Sequence, residues 1–303
     1  MKKRGKKILI ITLSILIILG AGAFGAYKYV NKIKNVELKS TDSELKVSEE
    51  TVKKSERHNV KNILLLGVDE EENVSDTIMI LSLDKDDKSA KITSVMRDTQ
   101  VFLGDDKVNK INYAYNYGGP ELTITTLNEL FDLDINKYAK VSFDGLANVV
   151  DYLGGIELNI TEQERLVINR TSELKAVSSS GKVTLNGKQA LAYSRIRSID
   201  SDYVRTSRQR DVMLGIFKKA KGVEVTSYPK VISDLSSNVQ TNLSLTELLD
   251  MAGYVMSLNI DSLNEFRIPM DGTTQDIVDE FYYLGWDKEL NTKELHKFIY
   301  GEE

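Results

Sequence analysis

Ile8 to Tyr27 is a run of twenty residues without a charge. As a helix it rises about 30 Å, the thickness of a bilayer's hydrocarbon core. Lys2, Lys3, Arg4, Lys6 and Lys7 precede it, and a basic cluster beside a first apolar helix stays in the cytoplasm while the chain after it is exported. The expected layout is a cytoplasmic basic tail at residues 1–7, a transmembrane helix at 8–30 and all remaining chain outside. A cleaved signal peptide is the competing reading, because Ile8 to Leu19 has the length of an h-region and Ala21-Gly22-Ala23 the pattern of a cleavage site. The apolar run continues past that site to Tyr27, which favours an anchor that stays in place.

Net charge is −5, so removing the five basic residues of the tail leaves −10 for the exported part. An acidic domain argues against a nucleic-acid partner held by bulk charge. With no cysteine and only His58 and His296, disulfides, thiolate sites, a cysteine nucleophile and a histidine-rich zinc site are excluded. No G-x-S-x-G elbow points to a serine hydrolase. The chemistry left to this chain uses carboxylates and arginines, with or without a metal.

Residues 31–57 are charged and weakly periodic and read as a polar stalk, with the folded domain at 58–303. Ile63-Leu64-Leu65-Leu66, Thr77 to Leu83 and Ile92 to Met96 are short, apolar, partly β-branched runs, the pattern of neighbouring strands buried on both faces. Leu122 to Phe131 and Phe143 to Leu153 read as helices around a strand at Tyr138 to Val141. Asn186-Gly187 reads as a turn before a short helix, Ser178 to Gly181 as a loop tip, and Phe266 to Pro269 as a late strand. Strands mixed with helices predict an α/β sandwich.

Two charge clusters stand out. If the chain reverses between Asp69 and Asp76, both carboxylates reach one sheet edge, with Arg97 beside them at the end of the third strand. Two carboxylates suit Mg²⁺, which completes its octahedron with water and phosphate oxygens; equally, aspartates favour turns for backbone reasons. Asp84, Asp86 and Asp87 lack the glycine and terminal glutamate of a calcium loop and read as a solvated turn. The second cluster is Arg195 and Arg197, on one side of an extended segment, followed by a helix carrying Arg205, Gln209, Val212, Ile216 and Phe217 on one stripe. An arginine in a first helical turn opposes the helix dipole, whereas an anion there is favoured. Two guanidiniums about 5 Å apart repel by about 3 kcal/mol at an effective dielectric of ~20. The cluster therefore needs an anion, or else Asp200 and Asp202 neutralise it as a surface network.

These residues resemble the LytR-CpsA-Psr family of the bacterial cell envelope. The matching pieces are Asn62 to Asp69, Ser75-Asp76-Thr77, Arg97-Asp98-Thr99, Lys110-Ile111-Asn112 with Tyr115 and Gly118-Gly119, Val149 to Gly155, Leu185 to Arg197, and Asp202-Tyr203 through Arg205 to Arg208-Gln209, in family order. The resemblance implies a three-layer α-β-α sandwich with a mixed central sheet, preceded by one transmembrane helix in a Gram-positive membrane. It implies a phosphotransferase that moves a glycopolymer (wall teichoic acid, capsular polysaccharide or related glycan) from a polyprenyl-pyrophosphate carrier to peptidoglycan, through a phosphodiester. It further implies Asp69 and Asp76 as ligands of Mg²⁺, or of Mn²⁺ in its place, and Arg97, Arg195, Arg197, Arg205 and Gln209 as the pyrophosphate-binding set. Arg97 and Asp202 would be the catalytic pair, with Asp202 helping to deprotonate the acceptor hydroxyl. Many members have proline, arginine and glycine where this chain has Met96, Val74 and Val204.

A polyprenyl tail needs an apolar groove, for which Leu127, Leu130, Phe131, Phe143, Leu146 and Val150 are candidates; the same spacing serves a plain core. Two other functions stay open on sequence alone. Water as acceptor would make the protein a polyprenyl-pyrophosphate phosphatase, and a domain without transfer chemistry would be an envelope regulator. About seven cytoplasmic residues are too few for a DNA-binding module.

Overall fold

The structure, a computed structural model, describes residues 36–104, 107–171, 176–258 and 264–301. The transmembrane helix expected at 8–30 lies outside the described residues, and among those described no helix is long and apolar enough to cross a membrane.

In chain order, α1 (Glu49–Arg57) leads into β1 (Val60–Asp69), β2 (Val74–Asp84) and β3 (Ser89–Val95). A small hairpin, β4 (Gln100–Phe102) and β5 (Val108–Lys110), precedes α2 (Tyr113–Phe131), β6 (Tyr138–Ser142) and α3 (Phe143–Tyr152). A ribbon of β7 (Ile156–Ile160) and β8 (Gly181–Leu185) encloses α4 (Glu162–Thr171) and is followed by α5 (Gly187–Ser194) and α6 (Asp202–Lys221). The chain ends with α7 (Tyr228–Leu235), β9 (Val239–Thr241), α8 (Leu245–Ser257), β10 (Asn264–Ile268), the hairpin β11 (Thr274–Val278) and β12 (Tyr282–Trp286), and α9 (Lys288–Tyr300).

The central sheet has six strands in the order β10-β3-β2-β1-β6-β9. It is mixed: β1, β2 and β3 are antiparallel neighbours, β6 is parallel to β1, and β10 is parallel to β3. Successive strand residues face opposite sides, so Leu64, Leu66, Ile78 and Ile80 pack under α2 and α9, while Ile63, Met79, Leu81 and Ile92 pack under α6 and α8. Burial on both faces explains why these strands read as unbroken apolar runs. A third cluster joins β7 and β8 to α3, α4, α5 and α6 through Val150, Ile156, Leu158, Ile168 and Val212. The three layers expected from the sequence are present.

Three local expectations change. Within the segment read as stalk, residues 36–57 are packed onto the domain: Leu45 is 1% exposed within the main core, Val36 N–H bonds Thr241 O at 2.9 Å, and Ser48 caps α1. Three of its few apolar residues, Leu38, Leu45 and Val47, are enough to dock it. The helix expected from Leu122 begins at Tyr113 and breaks at Gly118 and Gly119, the latter at φ 62°, before Pro120 opens the second piece. Asn186 is the N-cap of α5, exchanging bonds of 2.9 Å with Gln189. Gly187 lies so close to α3 that a Cβ there would sit 2.0 Å from Ala147 O.

Candidate active site

Gly67 pairs with Thr77 and Val68 with Ser75, so Asp76 is the extra residue of a β-bulge at the start of β2. Bulges re-aim a side chain, and Asp76 lines the cavity described below. Its Oδ1 pairs with Arg97 Nη1, and its Oδ2 lies 3.8 Å from Arg197 Nη2. Arg97 follows the end of β3 and also faces Asp98, whose other oxygen is 2.7 Å from Lys110 Nζ. Burial works against the Arg97 charge, but Asp76, with Asp98 and Asp202, outweighs it and holds the guanidinium above its ordinary range.

Arg195 and Arg197 sit just past α5, both exposed, with Ile196 between them buried. Arg195 is the C-cap of α5 at φ −104°, ψ 1°, so the segment does not start extended as expected, yet both guanidiniums reach the cavity. Arg195 lies over the Phe143 ring at 4.2 Å. One turn into α6, Arg205 is 1% exposed and gives Nη2 to Asp202 Oδ2 at 2.8 Å. Its Nε and Nη1 are buried without a hydrogen-bond partner among the described residues. Burial pushes Arg205 down to about 10, and Arg97 and Arg197 push the same way against Asp202 and Asp76. Desolvated N–H donors in a field of like charge are costly, and an anion would relieve both terms.

Beyond the arginines lies a cavity of about 200 Å³, walled by Leu65, Met79, Val141, Leu146, Val212 and Ile216 and closed at its polar end by Asp76, Arg195, Arg197, Arg205 and Gln209. The expected stripe Arg205, Gln209, Val212, Ile216 is one wall of it, while Phe217 packs elsewhere, under α8. Of the six residues offered for a lipid groove, Phe143 and Leu146 line the cavity. The other four do not: Leu127, Leu130 and Phe131 belong to the core across the sheet, and Val150 is fully buried under β7. They lie on helix faces turned toward tight packing, a direction that spacing alone does not give.

Asp69 stands two residues past Gly67, where its Oδ1 accepts N–H bonds from Glu71 at 2.9 Å and Glu72 at 3.2 Å. This is the turn role that aspartates take for backbone reasons. Among the described residues no group of three His, Cys, Asp or Glu side chains is gathered to hold a metal. Asp69 and Asp76 are hard oxygen donors that fit a magnesium ion only if phosphate oxygens and water complete its shell. Arg97 and Arg197 already neutralise Asp76.

One residue quoted only as part of a motif has a clear structural place. Arg208 is 2% exposed, bonds Glu164 Oε1 at 2.7 Å and Asp200 Oδ1 at 3.0 Å, and gives Nη1 to Ile196 O at 3.3 Å, the carbonyl between Arg195 and Arg197. Asp200 thus serves Arg208 and Asp202 serves Arg205. The residues at Val74, Met96 and Val204 are respectively buried, buried and exposed.

A guanidinium cluster capping an apolar cavity defines a class: an α/β domain whose site suits an anionic group joined to an apolar one. The LytR_cpsA_psr family model matches residues 26–297, and the chain belongs to that family. It is 33% identical over 287 residues to the polyisoprenyl-teichoic acid–peptidoglycan teichoic acid transferase TagU of Bacillus cereus (strain AH820), covering 88% of this chain and 89% of that protein. Its similarity to TagU of Bacillus anthracis is 34% over 282 residues, with the same coverage. Among solved structures, TagT bound to LIIa-WTA superposes with TM-score 0.68 at 28% identity over 79% of this chain and 91% of that one. YwtF (TagT) with bound octaprenyl pyrophosphate lipid does so with TM-score 0.64 at 25% identity, over 79% and 90%.

Proposed function

We propose that this chain transfers a teichoic-acid-type glycopolymer from a polyprenyl-pyrophosphate carrier to peptidoglycan, leaving a phosphodiester link. The observation that carries the reading is Arg205, whose buried Nε and Nη1, without a partner among the described residues, sit at the polar mouth of an apolar cavity. The relatives' names and the lipid recorded in the TagT structure support the same substrate class.

In this account Arg195, Arg197, Arg205 and Gln209 bind the pyrophosphate, and the cavity takes the first part of the prenyl tail at about 0.8 kcal/mol per buried methylene. The acceptor hydroxyl attacks the phosphorus that bears the glycan, the bond to the lipid phosphate breaks, and polyprenyl phosphate leaves. Arg97 neutralises charge that grows on the leaving phosphate. Asp202, paired with Arg205, takes the proton of the hydroxyl. Magnesium held by Asp69, Asp76 and the phosphates would add charge neutralisation when bound. The run Ile8 to Tyr27 would hold the domain beside its lipid, on the outer face of a Gram-positive membrane, and raise the local substrate concentration.

The test uses the full chain in proteoliposomes with labelled lipid-linked polymer and peptidoglycan. The wild type should put label on peptidoglycan, and Arg97→Ala and Arg195→Ala should abolish this while melting as the wild type does. Normal turnover in both variants contradicts the assignment.

A further inference from the structure

The hairpin of β11 and β12 packs against Asp98 and Tyr203, which flank the arginine cluster in sequence. It is tied on one side by Leu284 N–H to Asp98 O at 2.9 Å, and on the other by the Tyr203 and Thr274 hydroxyls at 3.3 Å, beside Asp202. Asp276, Val278, Tyr282 and Leu284 share one face of this ribbon, because Asp276 opposes Leu284 and Val278 opposes Tyr282. At Leu284 that face is buried against the domain, at 2% exposure. Toward the tip it overhangs: Tyr282 is 41% exposed, Val278 77% and the tip residue Phe281 60%. Large apolar side chains gathered at one exposed hairpin tip mark an interaction surface rather than ordinary scatter.

This surface is continuous with the site. Lys110 Nζ lies 5.6 Å from the Tyr282 ring centre and 2.7 Å from Asp98, which in turn faces Arg97 at 3.6 Å. The prenyl tail has its own apolar cavity under α6, so the overhang is not needed for it. An anionic membrane surface fits poorly, because Asp276, Asp279 and Glu280 crowd the tip and residues 274–286 contain no lysine or arginine. A sugar fits well: its C–H face packs on an aromatic ring, and its hydroxyls donate to carboxylates.

We infer that the overhang of Val278, Phe281 and Tyr282, with Lys110 at its base, is the platform on which the acceptor glycan strand of peptidoglycan docks beside Arg97. This rests on the transferase reading above and deepens it, assigning the acceptor side of a reaction whose donor side is the arginine cluster. Tyr282 and Phe281 would act by stacking, and neither takes part in the bond change.

The experiment is an acceptor titration with the full chain in detergent micelles, using labelled lipid-linked polymer and soluble peptidoglycan glycan oligomers. Tyr282→Ala and Phe281→Ala should each raise the half-saturating acceptor concentration about tenfold, and Tyr282→Phe, which keeps the ring, should stay within twofold of wild type. Retention of a short prenyl pyrophosphate should be equal in all four proteins. Unchanged acceptor dependence in both alanine variants overturns the platform, as does a parallel loss of prenyl pyrophosphate. So does a loss of flotation on phosphatidylglycerol vesicles with acceptor dependence intact, which would make the overhang a membrane contact. If the wild type itself forms no glycan-linked product, the transferase reading fails first and the platform with it.

Discussion

Arg205→Met separates a binding role from a structural one, because the two predict opposite changes in stability. The fall of the Arg205 equilibrium from its ordinary range to about 10 is about 3 kcal/mol against the charged form in the folded state, at ~1.36 kcal/mol per tenfold change. Folded below unfolded, for a cation, means the folded protein is destabilised at every pH below about 10. The buried Nε and Nη1, without a partner among the described residues, add to that cost. Methionine fills much of the same space without either term, and Asp202, 27% exposed, can be hydrated once its partner is gone. The variant should therefore be more stable by about 1–3 kcal/mol, which in a domain of this size raises Tm by roughly 3–10 °C. Polymer transfer should fall at least about a hundredfold, and the two can be read together by thermal melting. Prenyl pyrophosphate at about a hundred times Kd should stabilise the wild type by about 2.7 kcal/mol and the variant hardly at all. A variant that melts lower than the wild type yet still rises with prenyl pyrophosphate would refute the reasoning.

Three further outcomes follow from single contacts. Arg208→Ala should cost about 3–5 kcal/mol, because it leaves the nearly buried Glu164 unpaired, and it should raise the KM for donor lipid by freeing the Arg195–Arg197 segment; Arg208→Lys should recover part of the stability in chemical denaturation and little of the KM. Leu146→Trp, which fills the cavity mouth-to-wall, should weaken retention of a long prenyl pyrophosphate by about tenfold while leaving inorganic pyrophosphate binding unchanged, measured by calorimetry. Burial works to raise the Glu247 carboxyl, but Lys137 and the Ser244 N–H and hydroxyl outweigh it and hold it down to about 2. Its stabilisation is thus present above pH ~4.5 and lost as pH falls toward 2, and Glu247→Gln should flatten the acid limb of a pH–stability curve over that window.

Much of this was legible before the structure, for identifiable reasons. The strands of β1, β2 and β3 announce themselves because two-faced burial forces an unbroken apolar run, and α6 because its stripe passes from Arg205 and Gln209 to Val212 and Ile216. Charge patterning picked out Asp76 with Arg97 as one cluster and Arg195, Arg197, Arg205 and Gln209 as another, the family resemblance joined them, and the structure places them together, Arg97 through its pair with Asp76. Other features depend on tertiary contacts with no local signature. Residues 36–57 read as stalk because three apolar residues anchor them by fitting hollows in a distant surface. The extra residue at Asp76 is a register shift between partners, and whether Leu127 lines a groove or a core depends on which face of the sheet α2 covers. Arg208 was visible as one arginine among several; its role lies in a carbonyl twelve residues earlier in the chain, Ile196 O.

The central claim is that phosphorus moves with the glycan, from the carrier to the wall. The most direct measurement labels the glycan-bearing phosphorus of the lipid-linked polymer and follows it through one turnover by the full chain with peptidoglycan present. The account predicts that the label ends on peptidoglycan as an alkali-stable phosphodiester, with unlabelled polyprenyl phosphate released in equal amount. Label recovered in free polymer phosphate, with peptidoglycan unlabelled, would contradict it and make water the acceptor.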